Sequence, residues 1–190
     1  MTLIPRDTTG LIWLVFAAYW VYRAFSVKKT VYAESLGARS LQFVLWSSSF
    51  FIMYSDRLHD SHLALPLFTR SNGTVVLGTI IVGLGVAFAI WARRHLGAYW
   101  SSTVTLKENH KLIRSGPYGL SRHPIYTGVL LAFLGTIIAM GELRSVVAIA
   151  IILIAIALKI RDEESVLQKH FPSDYLDYKR EVKMLIPGIW

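Results

Sequence analysis

Residues 74–92 contain no charged side chain. A stretch of that length and polarity is about long enough to cross the ~30 Å hydrocarbon core of a bilayer, and in lipid it satisfies its backbone hydrogen bonds as a helix. Four further apolar stretches accompany it, at about 11–25, 41–55, 125–140 and 146–160. Several fall below the usual ~20 residues, so their ends are expected to run into polar flanks or to sit in locally thinned bilayer. The sequence therefore predicts an all-α, integral membrane fold with five transmembrane helices. The short link at 141–145 makes the last two an antiparallel helical hairpin. Gly78, Gly83, Gly85, Ala87 and Ala89 in the third stretch would let neighbouring helices approach closely.

Charge supports this reading. Charged residues are 17% of the 190, below the quarter or so expected of a soluble domain, and they gather in a few segments. With five spans, the loops at 26–40 and 93–124 and the tail from Lys159 lie on one face. Counting Arg23 with the nearer face, that side holds sixteen of the twenty lysines and arginines, leaving Arg6, Arg57, Arg70 and Arg144 on the other. The asymmetry places the N-terminus outside and the C-terminus in the cytosol, in the inner membrane of a bacterium or the endoplasmic reticulum of a eukaryote. It also accounts for the net charge of +8 without invoking nucleic acid. Trp13, Tyr19, Trp20, Tyr22, Trp91 and Trp100 are expected as interfacial anchors. A cleavable signal peptide is disfavoured, because no small-residue cleavage site follows the first stretch. Cysteine is absent, which excludes disulfides, thiolate metal sites and a cysteine nucleophile.

Two cytosolic segments carry chemistry. Gly116-Pro117-Tyr118-Gly119 is a turn cluster, and Arg122-His123-Pro124 then opens the fourth helix, proline suiting a first helical position. The free backbone donors and positive dipole of that helix end favour an anion. At the far end of the fifth stretch stands Arg161-Asp162-Glu163-Glu164. Three carboxylates at a helix C-terminus oppose the dipole, a cost that shrinks if the helix continues through Val166, Leu167 and Phe171. The hairpin brings the cationic, aromatic cluster beside the carboxylates. S-adenosylmethionine needs such a mixed site: a cation for its carboxylate, carboxylates for its amine and ribose, and aromatic faces for its adenine and sulfonium. Methyl transfer is an in-line displacement, so positioning and desolvation supply most of the rate.

The composite pattern is L-G-x-x-W-S from Leu96, then H-x-L-I-x-x-G-P-Y from His110, R-H-P-x-Y-x-G from Arg122, R-x-E-E-x-x-L from Arg161, paired tyrosines Tyr175 and Tyr178, and L-I-P from Leu185. In this order it resembles the isoprenylcysteine carboxyl methyltransferase family, in its short prokaryotic-like form, over roughly 93–190. Two departures are visible: Asn109 stands where the family has glycine, and Pro172 where it has glycine after phenylalanine. The resemblance implies a single membrane domain, with three helices in 1–92 and the cofactor loop, hairpin and C-terminal segment in 93–190. It implies that His110, Leu112, Ile113, Tyr118, His123, Pro124, Tyr126, Glu163 and Glu164 face S-adenosylmethionine. Arg122, Arg161 and Glu164 are the candidates for catalytic roles, the arginines holding carboxylates of cofactor or substrate. The partners implied are the lipid bilayer and an amphipathic or lipid-modified acceptor reaching the site from the membrane.

Other readings remain open at this point. The acceptor could be a phospholipid amine instead of a carboxylate. Sterol-type reductases using NADPH share part of the motif, but they carry asparagine and glutamate where Ile125 and Val129 stand here. A non-enzymatic membrane scaffold would need none of these residues. His59 and His62 are spaced for a metal, yet two ligands in a loop do not make a site, and no metal is expected.

Overall fold

The computed structural model describes residues 7–24, 30–33, 35–97, 100, 105–107 and 112–189. Each apolar stretch lies in a helix: α1 (Asp7–Ala24), α2 (Leu36–Tyr54), α3 (Asn72–Leu96), α4 (Pro124–Met140) and α5 (Leu143–His170). The short α6 (Pro172–Glu181) follows. Among them α3 and α5 are long and apolar enough to cross a bilayer, and α4 is a shorter apolar helix. Among the described residues the extended structure is one antiparallel ribbon, β1 (Thr30–Ala33) with β2 (Thr105–Lys107), and an isolated bridge between Pro66 and Glu142. Strands this short leave no period to read in a sequence.

Local signals set the helix ends. The Ser71 hydroxyl accepts from the Thr74 amide at 3.1 Å while the Ser71 amide donates to the Thr74 hydroxyl at 3.0 Å, so two otherwise free donors are satisfied as α3 begins. Gly141 closes α4 at φ 66°, its amide donating to the Ile137 carbonyl at 2.8 Å, and α5 starts two residues later. Pro172 opens α6 directly after Phe171, in the first turn where its missing N–H costs nothing.

The helices run up and down. Gln42 donates to the Ala155 carbonyl at 3.0 Å and Ser49 to that of Ala148 at 2.9 Å, so α2 and α5 are antiparallel. Gly78 faces Gly135 and Gly85 faces Gly128, so α3 and α4 are antiparallel too. One end of the bundle gathers the 55–71 connection and the α4–α5 turn: Leu67 donates to Gly141 at 2.7 Å, and Arg144, paired with Glu142, donates to the Ser55 carbonyl at 3.1 Å. His59 and His62 lie on that connection. The start of α4 and the end of α5 lie at the other end.

Close approach occurs as the small residues suggested, though the partner is α4 and not every glycine takes part. Cβ atoms on Gly78 or Gly85 would lie 2.5 Å from backbone atoms of α4, whereas one on Gly83 would meet nothing within 4 Å. Two glycines seven apart on each helix keep one face in register with the other. The antiparallel hairpin is present, but the tightest backbone packing is between α3 and α4. The aromatic expectation needs correction for Trp13 and Trp100. Trp13 is buried, donates to Thr136 at 3.1 Å and packs edge-on against Phe16 and Phe50. Trp100 is buried beneath the Arg93 guanidinium, 4.0 Å from its ring centre. Each ring finds a partner inside the bundle that sequence alone does not display.

Candidate active site

The Arg122-His123-Pro124 corner is fixed from both sides. On one side Gly116, at φ 59°, lets the His95 ring pack where any Cβ would lie 2.7 Å from it, and Pro117 and Tyr118 turn inward, buried. On the other, the segment after α6 returns along α4. The Arg122 and His123 amides donate to the Lys183 and Met184 carbonyls at 2.8 and 3.1 Å, and the Thr127 hydroxyl donates to that of Leu185 at 2.8 Å. Those two amides were expected to await an anion; here the returning chain takes them.

α5 does not end at its carboxylates. It continues to His170, so Glu163 and Glu164 lie before the last turn and the dipole penalty lapses. The two glutamates divide their work. Glu164 accepts from Arg122 Nη2 at 2.9 Å and Nε at 3.1 Å, from Lys179 Nζ at 2.8 Å, and lies 3.3 Å from His123 Nε2. The Arg122 Nη1 donates to the Val182 carbonyl at 2.6 Å, joining α4, α5 and the segment after α6 in one network. Glu163 accepts from the Tyr126 hydroxyl at 2.6 Å and lies 3.4 Å from His123 Nδ1. Burial opposes a charge on His123, but the two carboxylates outweigh it and hold its pKa above the ordinary histidine value. Burial pushes the Tyr118, Tyr175 and Tyr178 phenols well above their usual range, so they act here as neutral groups. The Tyr178 hydroxyl donates to the Tyr118 carbonyl at 2.6 Å.

These groups form one pole of a cavity of about 1310 Å³. Leu112, Ile113, Tyr118, Arg122, His123, Pro124, Tyr126 and Glu163 all line it. Glu164 stands behind them, tied to Arg122. His110 falls outside the described residues. Arg161 is exposed and outside the cavity lining, so the structure does not bring it to the others. Towards α1 and α2 the lining turns apolar and aromatic, with Trp13, Phe16, Trp46 and Phe50. Sequence reasoning missed several members. Lys179 had read only as a basic surface residue, although it shares a face with Tyr175, four residues earlier. Tyr175 and Tyr178, part of the motif but not among the expected site residues, line the cavity, as do Arg39, Gln42, Trp20, Trp100 and Lys159. Lys159 is only 8% exposed, and its place in a basic tail gave no sign of that.

Such a cavity can hold a polar, charged molecule against its glutamate pole and a lipid-like one against its aromatic wall. Among the described residues no cluster of three or more metal-ligating side chains occurs.

Comparison with known proteins is consistent with that division. The phospholipid methyltransferase family model matches residues 74–174. A protein-S-isoprenylcysteine O-methyltransferase of Saccharomyces cerevisiae is 30% identical over 182 residues, 92% of this chain and 75% of that one. A probable protein-S-isoprenylcysteine O-methyltransferase of Oryza sativa subsp. indica is 30% identical over 189 residues, 93% of this chain and 96% of that one. The cobalt-zinc-cadmium resistance protein CzcN of Cupriavidus metallidurans is 35% identical over 133 residues, 67% of this chain and 59% of that one. With the family model spanning more than half of the sequence and a relative covered almost end to end, the chain belongs to the phospholipid methyltransferase family and is a methyltransferase.

Proposed function

We propose that this methyltransferase crosses the membrane five times, with its N-terminus outside and its glutamate pole at the cytosolic face. We propose further that it methylates the carboxylate of an isoprenylcysteine-like or other lipidic acceptor, with S-adenosylmethionine as donor. The observation that carries the reading is the continuity of one cavity from the Glu163–His123–Tyr126 pole to the aromatic wall of α1 and α2. Segregation of basic residues supports the orientation: Arg39, Arg93, Arg94, Arg122 and Lys159 lie towards the site end, and Arg57, Arg70 and Arg144 towards the other.

The residues present fit the donor. Glu163, partly exposed and oriented by Tyr126 and His123, suits an ammonium or a ribose hydroxyl. Leu112, Ile113 and Tyr118 offer aliphatic and aromatic faces for an adenine. When bound, S-adenosylmethionine supplies an electrophilic methyl group on sulfonium. Arg122 and Lys179 fix Glu164, and through it the His123 ring, so the pole is preorganised before ligand arrives. The buried walls exclude water from an acceptor carboxylate, which is already ionised and needs no general base. Isoprenylcysteine is the group named in two of the relatives, and the greasy wall suits it. Incubating the purified protein with methyl-labelled S-adenosylmethionine and a farnesylcysteine analogue should yield a base-labile ester that releases methanol. Base-stable label in a lipid headgroup would overturn the carboxyl reading in favour of amine methylation.

A further inference from the structure

The cavity wall carries a second polar cluster, outside the motifs quoted above. Gln42 Nε2 donates to the Ala155 carbonyl at 3.0 Å and pins α2 against α5. Arg39 lies about one turn before Gln42, and Lys159 one turn after Ala155. Because the two helices are antiparallel, both steps lead towards the glutamate pole, so the two residues stand at about one level along the bundle. Arg39, Gln42 and Lys159 all line the cavity. The buried Arg39 Nε, a donor, meets no hydrogen-bond partner among the described residues. Of the described lining cations, Arg122 and His123 are held by the glutamates, and Arg39 is the one with an unmet buried donor.

From this placement we infer that Arg39 and Lys159 form the seat of the acceptor's carboxylate, with Gln42 fixing their two helices together. The inference rests on the carboxyl reading above and assigns it a place. A guanidinium in a largely apolar wall is costly while a buried donor goes unmet, and Arg39 has such a donor to offer an anion. Lys159 and Glu163 are four residues apart on one helix face, so the seat is about 6 Å along the axis from the glutamate pole. A carboxylate held there lies between the polar end, where a methyl donor fits, and the aromatic wall, where a prenyl chain fits. Gln42, held by Ala155, fixes α2 against α5 beside the seat and is not itself a carboxylate ligand.

The test uses the full-length protein in non-ionic detergent without methyl donor, and calorimetric binding of three probes. These are N-acetyl-S-farnesylcysteine, its carboxamide, and lysophosphatidylethanolamine. The wild type should bind the carboxylate roughly tenfold or more tightly than the carboxamide. Lys159→Gln and Arg39→Gln, on different helices, should each cut that ratio several-fold while carboxamide affinity holds, which also reports that the variant is folded. Lys159→Arg should restore it. A wild type indifferent to the carboxylate, or variants that keep the full ratio, overturns the inference. Tighter binding of the lysophospholipid, lost in the same variants, overturns it in favour of a phosphate seat. Carboxylate preference that depends on these residues, without ester formation once S-adenosylmethionine is added, leaves the seat standing and removes the proposed reaction.

Discussion

Replacing Gly128 with alanine puts a methyl carbon 2.6 Å from the Gly85 carbonyl oxygen and 2.7 Å from the Ala89 amide nitrogen. Both atoms belong to the backbone of α3, so neither can swing aside as a side-chain tip would. Relief requires α3 and α4 to part by the difference between 2.6 Å and an ordinary 3.4 Å contact. Overpacking of this kind costs about 3 kcal/mol at the upper end of its usual range. Alanine's better helix propensity offsets up to about 1 kcal/mol, leaving a net loss of about 2 kcal/mol. For a chain of this size that lowers Tm by about 4–8 °C. Gly83→Ala is the matched control: its Cβ meets nothing within 4 Å, so only the propensity gain applies and Tm should hold or rise. Paired thermal melts in detergent decide the matter. If Gly128→Ala melts with or above the wild type, or if Gly83→Ala falls alongside it, the glycine contact is not what holds α3 to α4.

Three further outcomes follow from the site. Arg122→Met removes two of the bonds to Glu164, whose side chain is 13% exposed and keeps Lys179 and His123, and leaves the Val182 carbonyl without its guanidinium donor; it should cost about 2–3 kcal/mol. Arg114→Met, whose partner Glu181 is 65% exposed, should cost less than about 1 kcal/mol, and denaturation in mixed micelles compares the two. Tyr126→Phe deletes the 2.6 Å bond to Glu163 and should weaken S-adenosylmethionine binding roughly tenfold, as calorimetry would show. His123 is held protonated above its ordinary range, so its stabilising charge is fully present below about pH 6.5 and is lost as pH rises through the raised value. The Tm difference between wild type and His123→Gln should therefore narrow as pH rises above about 6.5; a constant difference refutes the charged imidazole.

Much of the fold could be read from the chain because its signals are local. Residues 74–92 announce a helix by lacking charge, Pro124 and Gly141 mark the ends of α4, and the five apolar stretches each proved helical. The order of motifs likewise brought together Leu112, Ile113, Tyr118, His123, Pro124, Tyr126 and Glu163. What escaped depends on pairs of distant residues. The spacing of Gly78 and Gly85 gains meaning only beside Gly128 and Gly135. Lys159 and Lys179 could not be told from other basic residues of the tail, because burial and a partner are properties of the fold. Arg161, prominent in the motif, is exposed, whereas Arg39, outside every motif, lines the cavity.

The bonds from Arg122 and His123 to the Val182, Lys183 and Met184 carbonyls span some sixty positions of sequence. They impose an order on biogenesis. A ribosome threading this chain into a membrane can complete α1 to α5 before the residues that brace the α4 corner have been made. The glutamates and His123 would then exist as side chains without yet being a site. Insertion and maturation are thus separate events, and the second waits on a segment that contributes no charged side chain to the glutamate cluster, only carbonyls to position it.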